Sequence, residues 1–176
     1  MDPTSLLSGT DLHQKVIQDA VLQAGRYVWI ATANLKDMHV AMARGRYAPI
    51  LEVFDRMAKA GVTFRVIHSD VPSSRFRATL ERFPRLTSGA LEMQVCRRSH
   101  WKIVVVDGKS AYLGSANFTG AGLGARSPAR RNLEVGVFTT DGTWVRTLAT
   151  MFDSFWMGQE CRACGLRRAC PSPIRG

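Results

Sequence analysis

A histidine and a lysine stand two residues apart at His100 and Lys102, an aspartate follows at Asp107, and six residues further the chain reads Gly114-Ser115-Ala116-Asn117. An imidazole serves as nucleophile or proton carrier near neutral pH. The lysine ammonium supplies fixed positive charge, and serine and asparagine side chains donate hydrogen bonds, a combination suited to the oxygens of a phosphoryl group. On a strand, alternate side chains share a face, so His100 and Lys102 point together and Trp101 points away. These residues describe a phosphoryl-transfer pocket that needs no catalytic metal.

The elements that must position this pocket are legible from periodicity. Thr10 and Asp11 can cap a helix with Leu12, Val16, Ile17, Ala20, Val21 and Ala24 at helical spacing and Gly25 at its end. Tyr27 to Ala33 reads as a buried strand. Pro49 opens a helix with Ile50, Val53, Phe54 and Met57 on one face, and Gly61 ends it before a strand over 62–67. Ser73 or Ser74 caps a shorter helix through Phe83, and Pro84 to Gly89 form a break. Strands are predicted at 91–96, 101–106, 110–113 and 133–139, with a tight turn at Asp107-Gly108. Trp144, Leu148, Met151, Phe152, Phe155 and Trp156 mark a final amphipathic helix. The alternation predicts an α/β domain with a mixed sheet flanked by helices on both faces, covering residues 1–158, followed by a cysteine-rich tail at 159–176.

The pattern His-x-Lys, four residues, Asp, six residues, Gly-Ser-x-Asn resembles the HKD signature of the phospholipase D superfamily, and it matches at every specified position. The resemblance implies a phospholipase D-like fold from about Tyr27 to Met157 and a two-step reaction. His100 would form a phosphohistidine intermediate, Lys102 and Asn117 would hold the phosphate, and Ser115 would support them. Asp107 would act chiefly as a structural residue of the turn. Glu134, within Asn132-Leu133-Glu134, corresponds to the acidic residue that orients the histidine. The reaction also needs a general acid for the leaving oxygen. His13, His39 and His68 lack the motif around them, so the chain carries a single motif and is expected to form a homodimer that brings two copies of His100 together.

Twenty-four Lys and Arg against fourteen Asp and Glu give a formal net charge of +10, which favours a polyanion through counterion release. Arg97 and Arg98 precede the motif, and Arg126, Arg130 and Arg131 follow it, so these five are the expected contacts to a nucleic-acid backbone. The expected activity is therefore an endonuclease, with DNA favoured over RNA; a lipid phosphodiesterase and a catalytically silent nucleic-acid-binding module are the alternatives. Tyr47, Phe76 and Trp101 could stack on bases but fit a core equally well. No run of about 18 apolar residues exists for a membrane span. Met1 to Gly9 lacks the basic start and apolar run of a secretory signal, so a soluble, cytoplasmic protein without a membrane partner is expected.

The chain has four cysteines, at Cys96, Cys161, Cys164 and Cys170. In a reducing compartment, Cys161-x-x-Cys164 with Cys170 close by favours a metal over disulfides. The expectation is a structural zinc that staples the tail to the domain, with Cys96 as the fourth ligand, His68 as the alternative fourth ligand, and an iron–sulfur cluster as the less favoured occupant.

Overall fold

A computed structural model describes residues 2–174. Its centre is a seven-stranded mixed sheet of order β1-β9-β8-β7-β2-β5-β6. The strands are β1 (Thr4–Ser8), β2 (Tyr27–Thr32), β5 (Thr63–His68), β6 (Leu91–Val95), β7 (Ile103–Val106), β8 (Ser110–Gly114) and β9 (Val135–Thr139). A separate antiparallel pair, β3 (His39–Ala41) and β4 (Tyr47–Pro49), lies outside it. Strands β2, β5 and β6 run parallel, and β7 turns the direction by pairing antiparallel with β2. The remaining pairs, β7 with β8, β8 with β9 and β9 with β1, are antiparallel.

Alternation along each strand sends apolar side chains to both faces, as a sheet covered on two sides requires. On one face, Val28, Ile30, Phe64, Val66, Val104, Val106 and Tyr112 pack with the first helix and with α2 (Ile50–Lys59). On the other, Ala31, Ile67, Ile103, Val105 and Ala111 meet Val145, Leu148, Phe152 and Trp156 of α4 (Gly142–Trp156). Asp141 caps α4 by accepting the amides of Thr143 and Trp144, and Gly158 at φ 80° ends it in the left-handed conformation. Ser73 caps α3 (Ser74–Glu81) through the amide of Phe76, as its position predicts.

Four local expectations are corrected. The first helix is no continuous α-helix: α1 (Thr10–Leu12) passes into a π-helical stretch over His13–Gln18 and a separate 3-10 turn over Val21–Gln23. Strand β1 was not expected, because Thr4–Ser8 lies between Pro3 and Gly9 and buries only Leu7; its partner Val135–Thr139 is over a hundred residues away. Regular pairing of β7 starts at Ile103, so His100 and Lys102 lie just ahead of the strand rather than inside it. Strand β9 starts at Val135, leaving Leu133 and Glu134 in the approach to it.

Candidate active site

The antiparallel turn of β7 brings several chain segments to one end of the sheet. Ala31 pairs with Ile103, so Thr32 and Lys102 are the next residues along β2 and before β7. Gly114 donates its amide to the Lys102 carbonyl at 3.1 Å, and Gly114 pairs with Gly136. Trp101 packs against Phe155 on the α4 side, with ring centroids 5.0 Å apart. Alternation then turns Lys102 toward the opposite face, in line with Val104. The lysine Nζ donates to the His100 carbonyl at 2.8 Å, and the His100 side chain is exposed to solvent.

Two braces hold the segment that leads to His100. Cys96 donates its amide to the His68 carbonyl at 2.8 Å, and Ser99 donates its amide to the Cys96 carbonyl at 2.9 Å, which forms a turn at the end of β6. The Ser69 hydroxyl donates to the Ser99 carbonyl. His68 itself is buried, its Nδ1 2.5 Å from the Asp70 carbonyl, and burial pushes its pKa below the usual histidine value.

Asn117 is fixed by its oxygen. Oδ1 accepts the amides of Ala33 (3.0 Å) and Asn34 (3.1 Å) and lies 3.2 Å from the Thr32 hydroxyl. With the oxygen engaged this way, the Nδ2 group is the free end of the side chain, an aimed pair of donors. Ser115 has a different task. Its hydroxyl donates to the Glu134 carboxylate and accepts the Val135 amide at 3.1 Å, while Asn132 Nδ2 donates to the other Glu134 oxygen at 3.0 Å. Glu134 thus sits at the same sheet end, held by Ser115 and Asn132; among the described residues no hydrogen bond joins it to His100.

Asp107 lies at the opposite end of β7, about 17 Å from Lys102 at strand rise. It occupies the β7–β8 turn at φ 55° and accepts the amides of Gly25, Arg26 and Tyr27 at 2.8 to 2.9 Å. Burial works against its charge, yet these three amides and Lys109 together hold the carboxyl below the usual aspartate value. Its role is to fasten the start of β2 to the hairpin.

Beside Asn117 opens a cavity of about 510 Å³. Lys36, Arg75 and Arg126 give it positive charge, and Asn34, His39 and Asn132 add polar groups. His100 and Lys102 are not among its lining residues; Asn117 is the motif residue that faces it. Lys36, His39 and Arg75 were missed as site residues because they come from the loop after β2, the start of β3 and the first turn of α3, which only the fold brings near residue 117.

The five expected arginine contacts separate. Arg126 lines the cavity, and Arg130 is exposed in the 3-10 turn Pro128–Arg130 that follows it. Arg97 is exposed on the turn before His100. Arg98 instead faces the tail, 4.0 Å from Glu160 and lining the same cavity as Cys164. Arg131 stands close to Gly9 with Nη1 buried and unpartnered. Phe76 is core and Tyr47 is exposed. All four cysteines are free thiols and line one further cavity; His68 does not line it. Among the described residues no three His, Cys, Asp or Glu side chains are grouped closely enough to hold a metal ion, so no preformed metal site is present.

Comparison with known proteins agrees with this fold. A family model described as cardiolipin synthase, PLD-like domain, matches residues 16–156. The chain belongs to the phospholipase D-like family. No curated protein sequence matches it. Among solved structures it is similar to NucT from Helicobacter pylori (TM-score 0.61, 15% identity, 87% of this chain and 94% of that one). It is also similar to Nuc from Salmonella typhimurium, a phospholipase D family member (0.56, 15%, 87% and 94%). TrmBL2, an archaeal chromatin protein with a novel mode of DNA binding, matches at TM-score 0.59 and 12% identity over 88% of this chain; the chain spans about half (52%) of that protein. No helix among the described residues is long and apolar enough to cross a membrane.

Proposed function

We propose that the protein is a nuclease that hydrolyses phosphodiester bonds of nucleic acid, DNA in preference to RNA, through a phosphohistidine on His100. The observation that carries this reading is the cationic, hydrogen-bonding cavity next to Asn117, at the sheet end where His100 and Lys102 stand. A polyanion with repeating phosphates fits Lys36, Arg75 and Arg126; an acyl chain would want an apolar groove there, and Met38 is the only long apolar side chain in the lining.

In this reading an imidazole nitrogen of His100 attacks phosphorus, and Lys102 and the Asn117 amide group offset charge on the phosphoryl oxygens. Lys102 has three donor hydrogens and spends one on the His100 carbonyl, so others remain for the phosphate. The bond to the leaving alkoxide breaks as a protonated second histidine gives up its proton. That histidine, now neutral, takes a proton from water, whose oxygen attacks phosphorus as the phosphorus–nitrogen bond breaks and releases His100. The second imidazole is His100 of another copy of the chain. Exposed Leu133 and Val135 on either side of Glu134 support such an apolar contact between copies.

The test is a cleavage panel of plasmid, single-stranded DNA, RNA and phosphatidylcholine, run with chelator on wild type and His100→Ala, with sizing of the active species. Cleavage of DNA that disappears in the variant supports the reading. Turnover of lipid alone would overturn it, as would undiminished DNA cleavage by the variant. An inert wild type that binds DNA equally well with and without His100 would point to a silent binding module.

A further inference from the structure

We infer that Cys96, Cys161, Cys164 and Cys170 bind one structural zinc ion as a tetrathiolate, closing the C-terminal segment onto the turn that leads to His100. The four come from three separate pieces of chain: the end of β6, the turn over 161–164, and the exit of the 3-10 turn Arg167–Ala169. They nevertheless line one cavity of about 320 Å³, each partly buried and none in a disulfide.

The local backbone is already shaped for sulfur ligation. Cys164 donates its amide to the Cys161 carbonyl at 3.3 Å, so the Cys-x-x-Cys segment is a tight turn with both thiols on it. Arg167 and Cys170 continue the turns by donating amides to Cys164 (3.1 Å) and Arg167 (3.3 Å) carbonyls. The side chain of Arg98 lines the same cavity. A zinc tetrathiolate carries a net charge of about −2, and an arginine against it offsets part of that.

The segment also needs a cross-link. Among the described residues after Gly158 there is no strand and no helix longer than three residues, and Leu166 is half exposed. Residues 159–174 bury little apolar surface of their own, the situation in which small units use a metal. Its present ties to the domain are few: Val95 donates its amide to Ser172 at 3.4 Å, and Arg98 faces Glu160. The four cysteines line one cavity but are not grouped closely enough to hold an ion as they stand, so binding requires them to close inward. Each thiol loses its proton on binding, and one Zn²⁺ with four thiols gives the tetrathiolate and four protons. Soft thiolates in tetrahedral number select zinc, which adds no redox chemistry.

The test uses the full chain purified with reductant, with elemental analysis, native mass spectrometry and alkylation mapping of each cysteine. Expected are one zinc per chain and four thiols that alkylate roughly tenfold or more slowly until an organomercurial releases the metal. Cobalt added to the stripped protein should give the intense absorption of a tetrathiolate, and Cys96→Ser should change that spectrum and weaken binding. Metal far below one per chain with all four thiols reacting as free cysteines overturns the proposal, as does a disulfide among them in fresh reduced protein or an iron–sulfur chromophore. An unchanged cobalt spectrum in Cys96→Ser overturns the closure onto the catalytic approach. These measurements read metal and thiols alone, so they stand or fall apart from nuclease activity.

Discussion

The ring of Tyr112 occupies the space in which a side chain at Gly114 would stand, and it overlaps the same space at Gly136, the partner of Gly114 on β9. Its hydroxyl accepts the Ala116 amide at 3.2 Å, so the ring reaches past two glycines to hold the turn between Ser115 and Asn117. Burial, with Glu134 nearby, pushes the phenol up to about 12, and it stays a neutral hydrogen-bonding group. The glycine of the motif is therefore a clearance for a core ring. Gly114→Ala is expected to cost about 1–3 kcal/mol of stability, the range for overfilling a packed site. Denaturant unfolding measures it. Stability unchanged within about 0.5 kcal/mol would contradict the packing argument.

Asn117→Asp separates the two ends of that side chain. A carboxylate keeps an oxygen for the amides of Ala33 and Asn34, so the fold should survive with a thermal midpoint within a few degrees of wild type. In the proposed reaction the donors that hold the phosphate are replaced by an acceptor carrying negative charge. Turnover should drop by about 10²–10³-fold, the scale for loss of one preorganised donor. Activity near wild type would show that the Nδ2 group does not touch the reacting phosphate.

Much of this was legible in the sequence, and the exceptions share a physical cause. Strands β5 and β8 and helix α2 announce themselves because their apolar periods, caps and turn residues are local. The motif is legible for the same reason, since its spacing falls on a hairpin whose turn is Asp107-Gly108. Strand β1 was illegible because only Leu7 is buried and its ladder depends on residues 135–139. Arg98 was misread because closeness to His100 in sequence says nothing about side-chain direction; the tail, which attracts it, is placed only by tertiary packing. Lys36 and Arg75 were not assigned to the site because one lies in the loop after β2 and the other in the first turn of α3, and the cavity they share exists only once those two elements are packed.

Asp107 makes stability depend on acidity. Its folded-state pKa lies below the ordinary value of 3.8, so the unfolded chain takes up the proton more readily. The stabilisation is complete above that value and is lost as pH falls through the depressed folded pKa. Asp107→Asn tolerates the positive φ but turns a donor toward one of three amides. The variant should melt lower than wild type at pH 7, and the gap should shrink below about pH 4. Thermal scans across pH 2.5–7 check this; a gap of constant size would mean that the carboxylate charge plays no part in fastening β2 to the hairpin.

Mixing subunits tests whether each reaction centre draws on two chains. If a nucleophilic His100 and a proton-donating His100 must come from different copies, a pair holding one wild-type and one His100→Ala chain lacks one of the two groups and is inert. Wild-type activity then falls as the square of the wild-type fraction, because both partners of a random pair must be intact. An equal mixture of co-refolded chains should retain about a quarter of the activity. Independent centres would retain about half. The variant is suited to dilution because His100 is exposed and its loss leaves the packed faces of the sheet untouched, so the inert chain should still compete for pairing. A linear decline, with the active species sizing as a single chain, would assign the leaving-group proton to a residue of the same copy and make His39, which lines the cavity beside Asn117, the first to replace.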